Sequence, residues 1–456
     1  MLEEQFPEVV AAQPEVLARH CAEAGLAGKA IAYAHRAARQ AIERSAMVEA
    51  IAHLHQGLRL LDGLPDGVAR HRQELELQTT LGVPLIAILG IGAPEVERAY
   101  ARARELCLQV GDAPQLSSVL FGLWWFYEVR AELRSAHELA ERLLDMARRR
   151  EAAADLIQAH RAMGATLLWL GEFAPALVHF EQAIAQYDPQ RHRSLAFTAG
   201  QEPGVLARGF ASHVLWYLGY PDRAMKTMRE ALSQAREVAH PFSLAFALDH
   251  AAWLHQYRRE TAETREGAEE DMGFSGERGF PFFLAQGTIL RGWALAEQGR
   301  DAEGTAEMRQ GLAAHEATGA VVSRPYWFSL LARAYGRSGR AEDGLRLLDE
   351  ALAMTQDQHI WEAELHRLRG ELLLVHPGDG DQPEAEVCFR RALDIARAQQ
   401  ARSLELRAGT SLAHLWACQG KRGEARDLLA PIYGWFTEGF ETSDLREARA
   451  LLDELN

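Results

Sequence analysis

The stretch WLGEFAPA at residues 169–176, followed by Phe180 and Ala183, decides the fold of this chain. A segment rich in leucine, alanine and tryptophan precedes Gly171, and an amphipathic segment follows it. Glycine ends a helix readily, because it adopts a left-handed conformation that a Cβ atom would penalise. Five positions later, Ala176 is small enough to let two helices cross closely. The stretch therefore predicts two helices joined by a tight turn.

The same pattern recurs along the chain at intervals of about 40 residues. The predicted turns lie at residues 131, 171, 219, 258, 299, 339, 380 and 420, and Gly92 and Ser45 extend the series upstream. The wider step after residue 171 contains a connector at residues 199–204, and another loop is predicted at residues 376–381. The segments after the turns carry apolar residues on one face only. Such a helix pair cannot bury that face alone, so neighbouring pairs must stack.

This repeat predicts an all-α fold, namely a superhelical solenoid of about nine to ten helix–turn–helix units. The unit resembles the tetratricopeptide repeat, because the aromatic, glycine and small residues at residues 169–183 follow that family's order. The usual repeat has about 34 residues, so the helices here are expected to be longer by roughly a turn. No alternation typical of strands competes, and prolines such as Pro221, Pro241 and Pro281 fall where helix boundaries are expected.

Composition excludes several classes of protein. The chain has 456 residues and a formal net charge of −15. Binding to nucleic acid or to anionic lipid requires a basic surface, so neither is expected. The four cysteines form no zinc or disulfide motif, which indicates a reducing compartment. The longest apolar run, at residues 81–93, is short and is interrupted by Pro84, so no membrane insertion is expected. The first residues lack a signal-peptide pattern, and we expect a cytoplasmic protein.

The sequence also lacks motifs for catalysis and for cofactor or metal binding. It contains no P-loop, no HExxH zinc motif and no Gly-x-Ser-x-Gly nucleophile elbow. The Gly-x-Gly at residues 90–92 is interpreted as a helix turn, and the Asp-Gly-Asp at residues 379–381 as a polar loop rather than a calcium site. The histidines are interpreted as solvated or partly packed. We therefore expect no enzymatic activity, no cofactor and no metal.

The concave face of the solenoid is the predicted binding surface. The first helices of the units line that face, and it is where solenoids usually bind partners. The tryptophans that precede the turns are interpreted as packing between paired helices rather than as a ligand cage. The residues predicted to contact a partner are Gln201, Glu202, Arg208, Asp249, His250, Arg291, Arg324 and Tyr326. The alternative interpretation is that they are surface or helix-capping residues.

Several segments resemble one lineage of bacterial signalling proteins. Its members join a class III adenylate or guanylate cyclase domain, an AAA-type ATPase and a tetratricopeptide-like C-terminal region. The matching segments lie at residues 13–20, 41–45, 95–103, 218–222, 242–248, 291–299, 323–326 and 433–440, the last of which reads YGWFTEGF. The cyclase's metal-binding aspartates and the ATPase's P-loop have no counterpart in this sequence. The resemblance thus implies that such activities reside in upstream domains.

The resemblance also implies a division of the chain and a choice of functions. Residues 1–26 would be the end of an ATPase-linked helical segment, residues 27–436 the repeat array, and residues 437–456 a C-terminal capping helix. The first functional hypothesis is a non-catalytic regulatory region that binds a protein or peptide and acts on an ATPase or cyclase module. The second is a small-ligand sensor that controls such a partner.

Overall fold

The computed structural model describes residues 13–111, 115–150, 152–192, 195–198, 200–355, 358–375 and 381–456. These residues form helices and short connections, and none of them lies in a β-strand. In chain order the helices are α1 (Pro14–Glu23), α2 (Ala27–Glu43), α3 (Met47–Leu60), α4 (Val68–Leu89), α5 (Pro94–Val110), α6 (Leu116–Val129), α7 (Leu133–Arg150), α8 (Ala153–Trp169), α9 (Phe173–Gln186), α10 (Pro189–His192), α11 (Leu195–Thr198), α12 (Pro203–Tyr217), α13 (Pro221–Val238), α14 (Pro241–Tyr257), α15 (Thr261–Arg278), α16 (Pro281–Glu297), α17 (Asp301–Ala317), α18 (Arg324–Arg337), α19 (Ala341–Ala353), α20 (Glu362–Val375), α21 (Asp381–Ala398), α22 (Arg402–Cys418), α23 (Arg422–Tyr433) and α24 (Ser443–Leu455). A 3₁₀ turn, Leu61–Gly63, follows α3.

Helix pairs stack into one array, from α2 with α3 to α22 with α23, and the short helices α10 and α11 occupy the connection after α9. The first helix of each pair also packs against the first helix of the next pair, as α14 does against α16 and α18 against α20. The chain is therefore an all-α solenoid of tetratricopeptide-like repeats, as predicted. Within the described ranges, no helix is long and apolar enough to cross a membrane.

Left-handed residues join the paired helices, and most lie where the sequence predicts them. The backbone angle φ is positive at Ser45, Ala131, Gly171, Gly219, Gly299, Gly339 and Gly420. The turn predicted at Arg258 is wrong by one residue: Arg259 is left-handed, and no glycine marks this turn in the sequence. The turn predicted at Gly92 lies between α4 and α5, but its left-handed residue is Gly90, with φ of +95°. The turn at residue 380 and the loop at residues 376–380 lie outside the described residues.

Small residues five positions after these turns let the paired helices cross closely, as predicted. Ala176, Ala224 and Ala425 are fully buried. At Gly304, an ideal Cβ atom would lie 2.4 Å from the carbonyl oxygen of Gly292 on the paired helix. No side chain fits there, so the α16–α17 crossing requires glycine.

The solenoid closes on itself, because turns contact other turns about 190 to 230 residues further along the chain. The amides of Val321 and Val322 donate to the Val129 carbonyl at 2.8 and 3.0 Å. An ideal Cβ atom at Gly92 would lie 2.4 Å from the carbonyl oxygen of Gly319. The Ser403 hydroxyl donates to a main-chain carbonyl at the end of α12. We call this line of turn-to-turn contacts the seam.

The C-terminal stretch extends the seam to the start of α13. The Glu438 carboxylate accepts hydrogen bonds from the amides of Asp222 and Arg223 at 2.9 and 3.0 Å. In return, the Gly439 amide donates to the Asp222 carboxylate at 2.9 Å. Glu438 thereby satisfies amides that the first turn of a helix leaves without partners. The seam thus joins two stretches that stand out separately in the sequence, residues 218–222 and 433–440.

Aromatic side chains fill the interior that the closed solenoid encloses. The ring centroids of Trp253 and Trp327 lie 4.6 Å apart, and Tyr326 stacks on both Trp253 and Trp361. The ring centroid of Trp169 lies 5.6 Å from that of Trp361, although the two residues are more than 180 positions apart in the sequence. The sequence predicts that Trp169 and Trp253 pack between paired helices. In this cluster they contact side chains of other units. We call these five residues the inner aromatic cluster.

Candidate functional site

The closed interior buries most of the residues predicted to bind a partner. Gln201, Glu202 and Asp249 have no exposed surface, and His250 and Tyr326 are 6% and 4% exposed. The other three, Arg208, Arg291 and Arg324, are partly buried. In this conformation the five buried side chains contact other parts of the chain. Their role in partner binding stays a prediction.

Glu202 and Arg208 organise the start of α12. The Glu202 carboxylate accepts from the Val205 amide at 2.6 Å and from the Gln234 amide group at 3.1 Å. Arg208 donates to the other side of Gln234 at 2.7 Å. Burial raises the pKa of Glu202. Glu202 is thus the N-terminal cap of α12. Helix capping is the alternative interpretation given above for the predicted binding residues. Its neighbour Gln201 has a buried amide group without a hydrogen-bond partner among the described residues.

Asp249 belongs to a buried polar cluster that links two neighbouring helix pairs, α14–α15 and α16–α17. The Gln286 amide, oriented with its nitrogen toward Asp249, donates to Oδ2 at 2.8 Å and to Oδ1 at 3.2 Å. A second carboxyl, Asp271, accepts from the Ser275 hydroxyl at 2.8 Å. Burial raises the pKa of Asp249 well above its ordinary value, and the neighbouring Asp271 raises it further. On the far side of Gln286 lies the imidazole of His315, at 3.4 Å.

Histidine and tyrosine side chains connect the inner aromatic cluster to its surroundings. The His213 ring nitrogen Nε2 donates to the His250 carbonyl at 3.0 Å, and burial lowers the pKa of His213 to about 4. The Tyr326 hydroxyl donates to Gln256. Both ring nitrogens of His250 lack a hydrogen-bond partner in the described part of the chain. The His250 ring packs among aromatic rings such as Phe246, and its Nδ1 atom lies 3.4 Å from the Asp249 carboxylate.

An open groove lies on the opposite, outer side of α18. It has a volume of about 560 Å³ and is bounded by α17, α18 and α19. We call it the outer groove. Its lining residues are Arg309, Leu312, Ala313, His315, Glu316, Ala320, Arg324, Phe328, Leu331, Tyr335, Arg340, Asp343, Arg346, Leu347 and Glu350. Of the residues predicted to bind a partner, Arg324 lines this groove.

The connection between α17 and α18 is longer than the corresponding connections of the two preceding units. Residues 318–323 join these helices, whereas two residues, 239–240 or 279–280, join the corresponding helices of earlier units. The seam draws this connection toward Val129 and so away from α19. Sequence reasoning missed the groove, although a signal was present. Helix α18 carries apolar residues on both sides, and one stripe, Phe328, Leu331 and Tyr335, faces the groove.

Two further openings are less suited to a partner segment. A pocket with about 100 Å³ of free space is lined by Tyr100, Phe121, Gln158 and others between α4 and α8. A broader hollow of about 450 Å³ lies between α20, α22 and α24 and carries the carboxylates Glu371, Glu447 and Glu454. Among the residues that the structure describes, no three or more histidine, cysteine, aspartate or glutamate side chains are grouped to hold a metal ion.

Comparisons with known proteins agree with the fold. No protein-family model matches the chain. A protein of Rhizobium meliloti (strain 1021), described as uncharacterized, is 25% identical over 411 residues, which cover 89% of this chain and 39% of that protein. The chain thus spans about two fifths of the length of this relative.

Solved structures with the same architecture include the APC/C hetero-tetramer Cut9–Hcn1. It has a TM-score of 0.52 at 11% identity and covers 94% of this chain and 76% of that one. A signal transduction ATPase of the STAND class with a tetratricopeptide repeat sensor, from Pyrococcus horikoshii, has a TM-score of 0.42 at 14% identity and covers 85% and 56%. The first likeness shows a shared helical-repeat fold and nothing beyond the fold.

Proposed function

We propose that this chain is a non-catalytic protein-interaction and regulatory region, and that it binds a protein or peptide. The outer groove is the observation that carries the proposal, because it combines an apolar floor with a charged rim on an otherwise closed solenoid. Solenoids usually bind partners on the concave face, but in this chain aromatic side chains fill the interior, so the outer groove is the more accessible surface. Of the three partly exposed arginines of the predicted set, Arg324 lines this groove. Arg208 is bonded to Gln234, and Arg291 forms a bidentate pair with Glu307.

The proposal also concerns the domains beside which this repeat region acts. The relative from Rhizobium meliloti is much longer than this chain, which supports a repeat region that works beside other domains. The resemblance of residues 433–440 and the other segments favours a cyclase or ATPase module as that partner, in the cytoplasm. Residues 1–26 would join such a module, residues 27–436 would form the interaction array, and residues 437–456 would cap it.

The second candidate is a small-ligand sensor. Buried polar groups without hydrogen-bond partners among the described residues favour it, since such groups are costly unless something satisfies them. The guanidinium of Arg161 is fully buried against Phe121 at 4.6 Å and retains one unpartnered nitrogen, and the amide of Gln201 is another such group.

Photo-crosslinking tests the protein-binding proposal. A photoreactive residue replaces Phe328 in the outer groove, and the same residue at exposed Glu230 on α13 serves as the control. A protein that crosslinks at position 328 and not at 230, and then binds the purified chain, supports the proposal. Strong thermal stabilisation by a small metabolite, with no such protein, would support the sensor instead. Cyclase activity of the purified chain would overturn both.

A further inference from the structure

The chemistry of the outer groove defines what it can bind. The floor runs along α18 from Arg324 to Tyr335, a distance of about 16 Å at 1.5 Å per residue. Its side chains Phe328, Leu331 and Tyr335 are apolar and only 3–7% exposed. An extended peptide of about five residues covers that distance. Arg324 lies over the Phe328 ring at 5.1 Å, and Arg340 lies over the Tyr335 ring at 4.2 Å. The two ends of the floor thus each carry an arginine that an aromatic ring positions.

The rim of the groove is basic, although the chain as a whole is acidic. Its four arginines face three carboxylates, whereas the whole chain has a net charge of −15. Burial lowers the pKa of His315 to about 4, so this histidine adds no charge at neutral pH. Arg309 is exposed and makes no ion pair in the described part of the chain. Arg346 is 74% exposed and shares the carboxylate of Asp343 with Arg340. These groups favour a ligand that carries negative charge.

A carboxylate of a ligand can replace the glutamates that pair with Arg324 in the groove. Arg324 contacts Glu316 at 3.1 Å and Glu350 at 3.7 Å, and both carboxylates are more than half exposed. Exposed ion pairs contribute little to stability, so exchanging one carboxylate for another costs little. A carboxylate that pairs with a guanidinium in a bidentate manner gains geometric specificity as well.

We propose that the outer groove binds an acidic peptide segment of a partner protein. Its carboxylates pair with the arginines of the rim, and an apolar side chain between them packs on Leu312 and Leu347, which line the groove and are half-buried. This inference rests on the protein-binding function proposed above, and it names the place and the chemical class of the ligand. The binding surface is then the outer side of the solenoid, while the inner aromatic cluster holds the fold together.

Fluorescence anisotropy with designed peptides tests the proposal. The probe is a fluorescein-labelled peptide of nine residues in which aspartate and glutamate alternate with leucine and phenylalanine. The control probe carries lysine at each acidic position. We expect the full chain to bind the acidic probe and not the basic one, with affinity that falls as salt is raised. Equal binding of both probes, or binding of neither, would overturn the proposal.

Variants of the chain locate the binding to the groove. Arg309→Glu combined with Arg346→Glu should weaken binding at least tenfold, because two rim charges are reversed. Glu350→Gln should strengthen binding by about two- to threefold, since Arg324 loses one competing carboxylate. Arg229→Glu, at an exposed position on α13, is the matched control and should change little. Equal weakening by the control would overturn the proposal.

The crosslinked partner separates failure of the site from failure of the function. If that partner binds the double variant as well as it binds the unaltered chain, the outer groove is not the site, yet the protein-binding function stands. If no protein binds the chain at any surface, the function itself is wrong. Thermal melting of each variant verifies that the fold is retained.

Discussion

The contacts at the seam predict that alanine substitution destabilises the fold more at Gly219 than at Gly299, although both glycines lie in equivalent turns. Gly219 and Gly299 have nearly the same backbone angle, with φ of +90° and +84°. An ideal Cβ atom at Gly219 would lie 2.6 Å from Trp435 and 2.7 Å from the Cβ atom of Arg402, whereas one at Gly299 has no described atom within 4 Å. Substitution by alanine therefore introduces the same left-handed strain at both sites but a steric clash only at the seam.

The expected magnitudes follow from these two contributions. Left-handed alanine costs about 1 kcal/mol at either site. Overpacking at Gly219 adds about 1–3 kcal/mol. Unfolding entropy is about 2.1 cal/mol/K per residue, or about 1 kcal/mol/K for a chain of this length. We therefore expect Gly299→Ala to lower the melting temperature by about 1 °C and Gly219→Ala by about 2–4 °C.

Hydrogen exchange provides the second measurement, because a repeat array can open locally before it unfolds as a whole. In Gly219→Ala, amides at residues 435–442 should exchange faster, while those around residue 299 should not change. In Gly299→Ala, the C-terminal stretch should keep its protection. Equal melting temperatures for the two variants, together with unchanged exchange at residues 435–442, would refute the closed solenoid.

Two further substitutions test other contacts. Glu438→Ala should release the amides at the start of α13, cost about 1 kcal/mol and speed exchange at Asp222 and Arg223; unchanged exchange there would contradict the cap. Asp249→Asn tests the buried acid pair with Asp271. Folding raises the pKa values of both Asp249 and Asp271, so the protonated carboxyl groups stabilise the folded state at low pH. This stabilisation is lost as the pH rises through the folded-state pKa values. Melting curves from pH 5 to 8 should show the variant gaining about 1–3 kcal/mol over the unaltered chain toward pH 8; a constant difference would exclude this linkage.

The repeat itself could be predicted from the sequence because its causes are local. A left-handed residue, a small residue five positions later and an apolar stripe act within one helix pair, and their spacing repeats. The error at Arg258 arose where no glycine marks the turn. The closure of the solenoid could not be predicted, because it depends on the small rotation between successive units. That rotation accumulates over many units, until Gly92 meets Gly319 and Glu438 meets Asp222.

The same accumulated rotation explains why most of the predicted binding residues are buried. An open solenoid would expose the polar residues of its first helices, and the prediction that His250 and Tyr326 bind a partner assumes an open solenoid. In the closed solenoid these side chains meet other first helices instead. Arg324 lies at the start of its helix, where the side chain turns outward over Phe328. Position along the helix, rather than polarity, decided which predicted residues line an open surface.

The outer groove and the seam share one segment of chain, residues 318–323. The amides of Val321 and Val322 bond to the Val129 carbonyl, and Arg130 donates to the Gly319 carbonyl. Ala320, between them, lines the outer groove. A segment that is held on one side by main-chain hydrogen bonds cannot move into the groove, so the groove stays open without a ligand. Closure of the solenoid therefore does two things at once: it buries the inner aromatic cluster, and it shapes the surface on which a partner segment can bind.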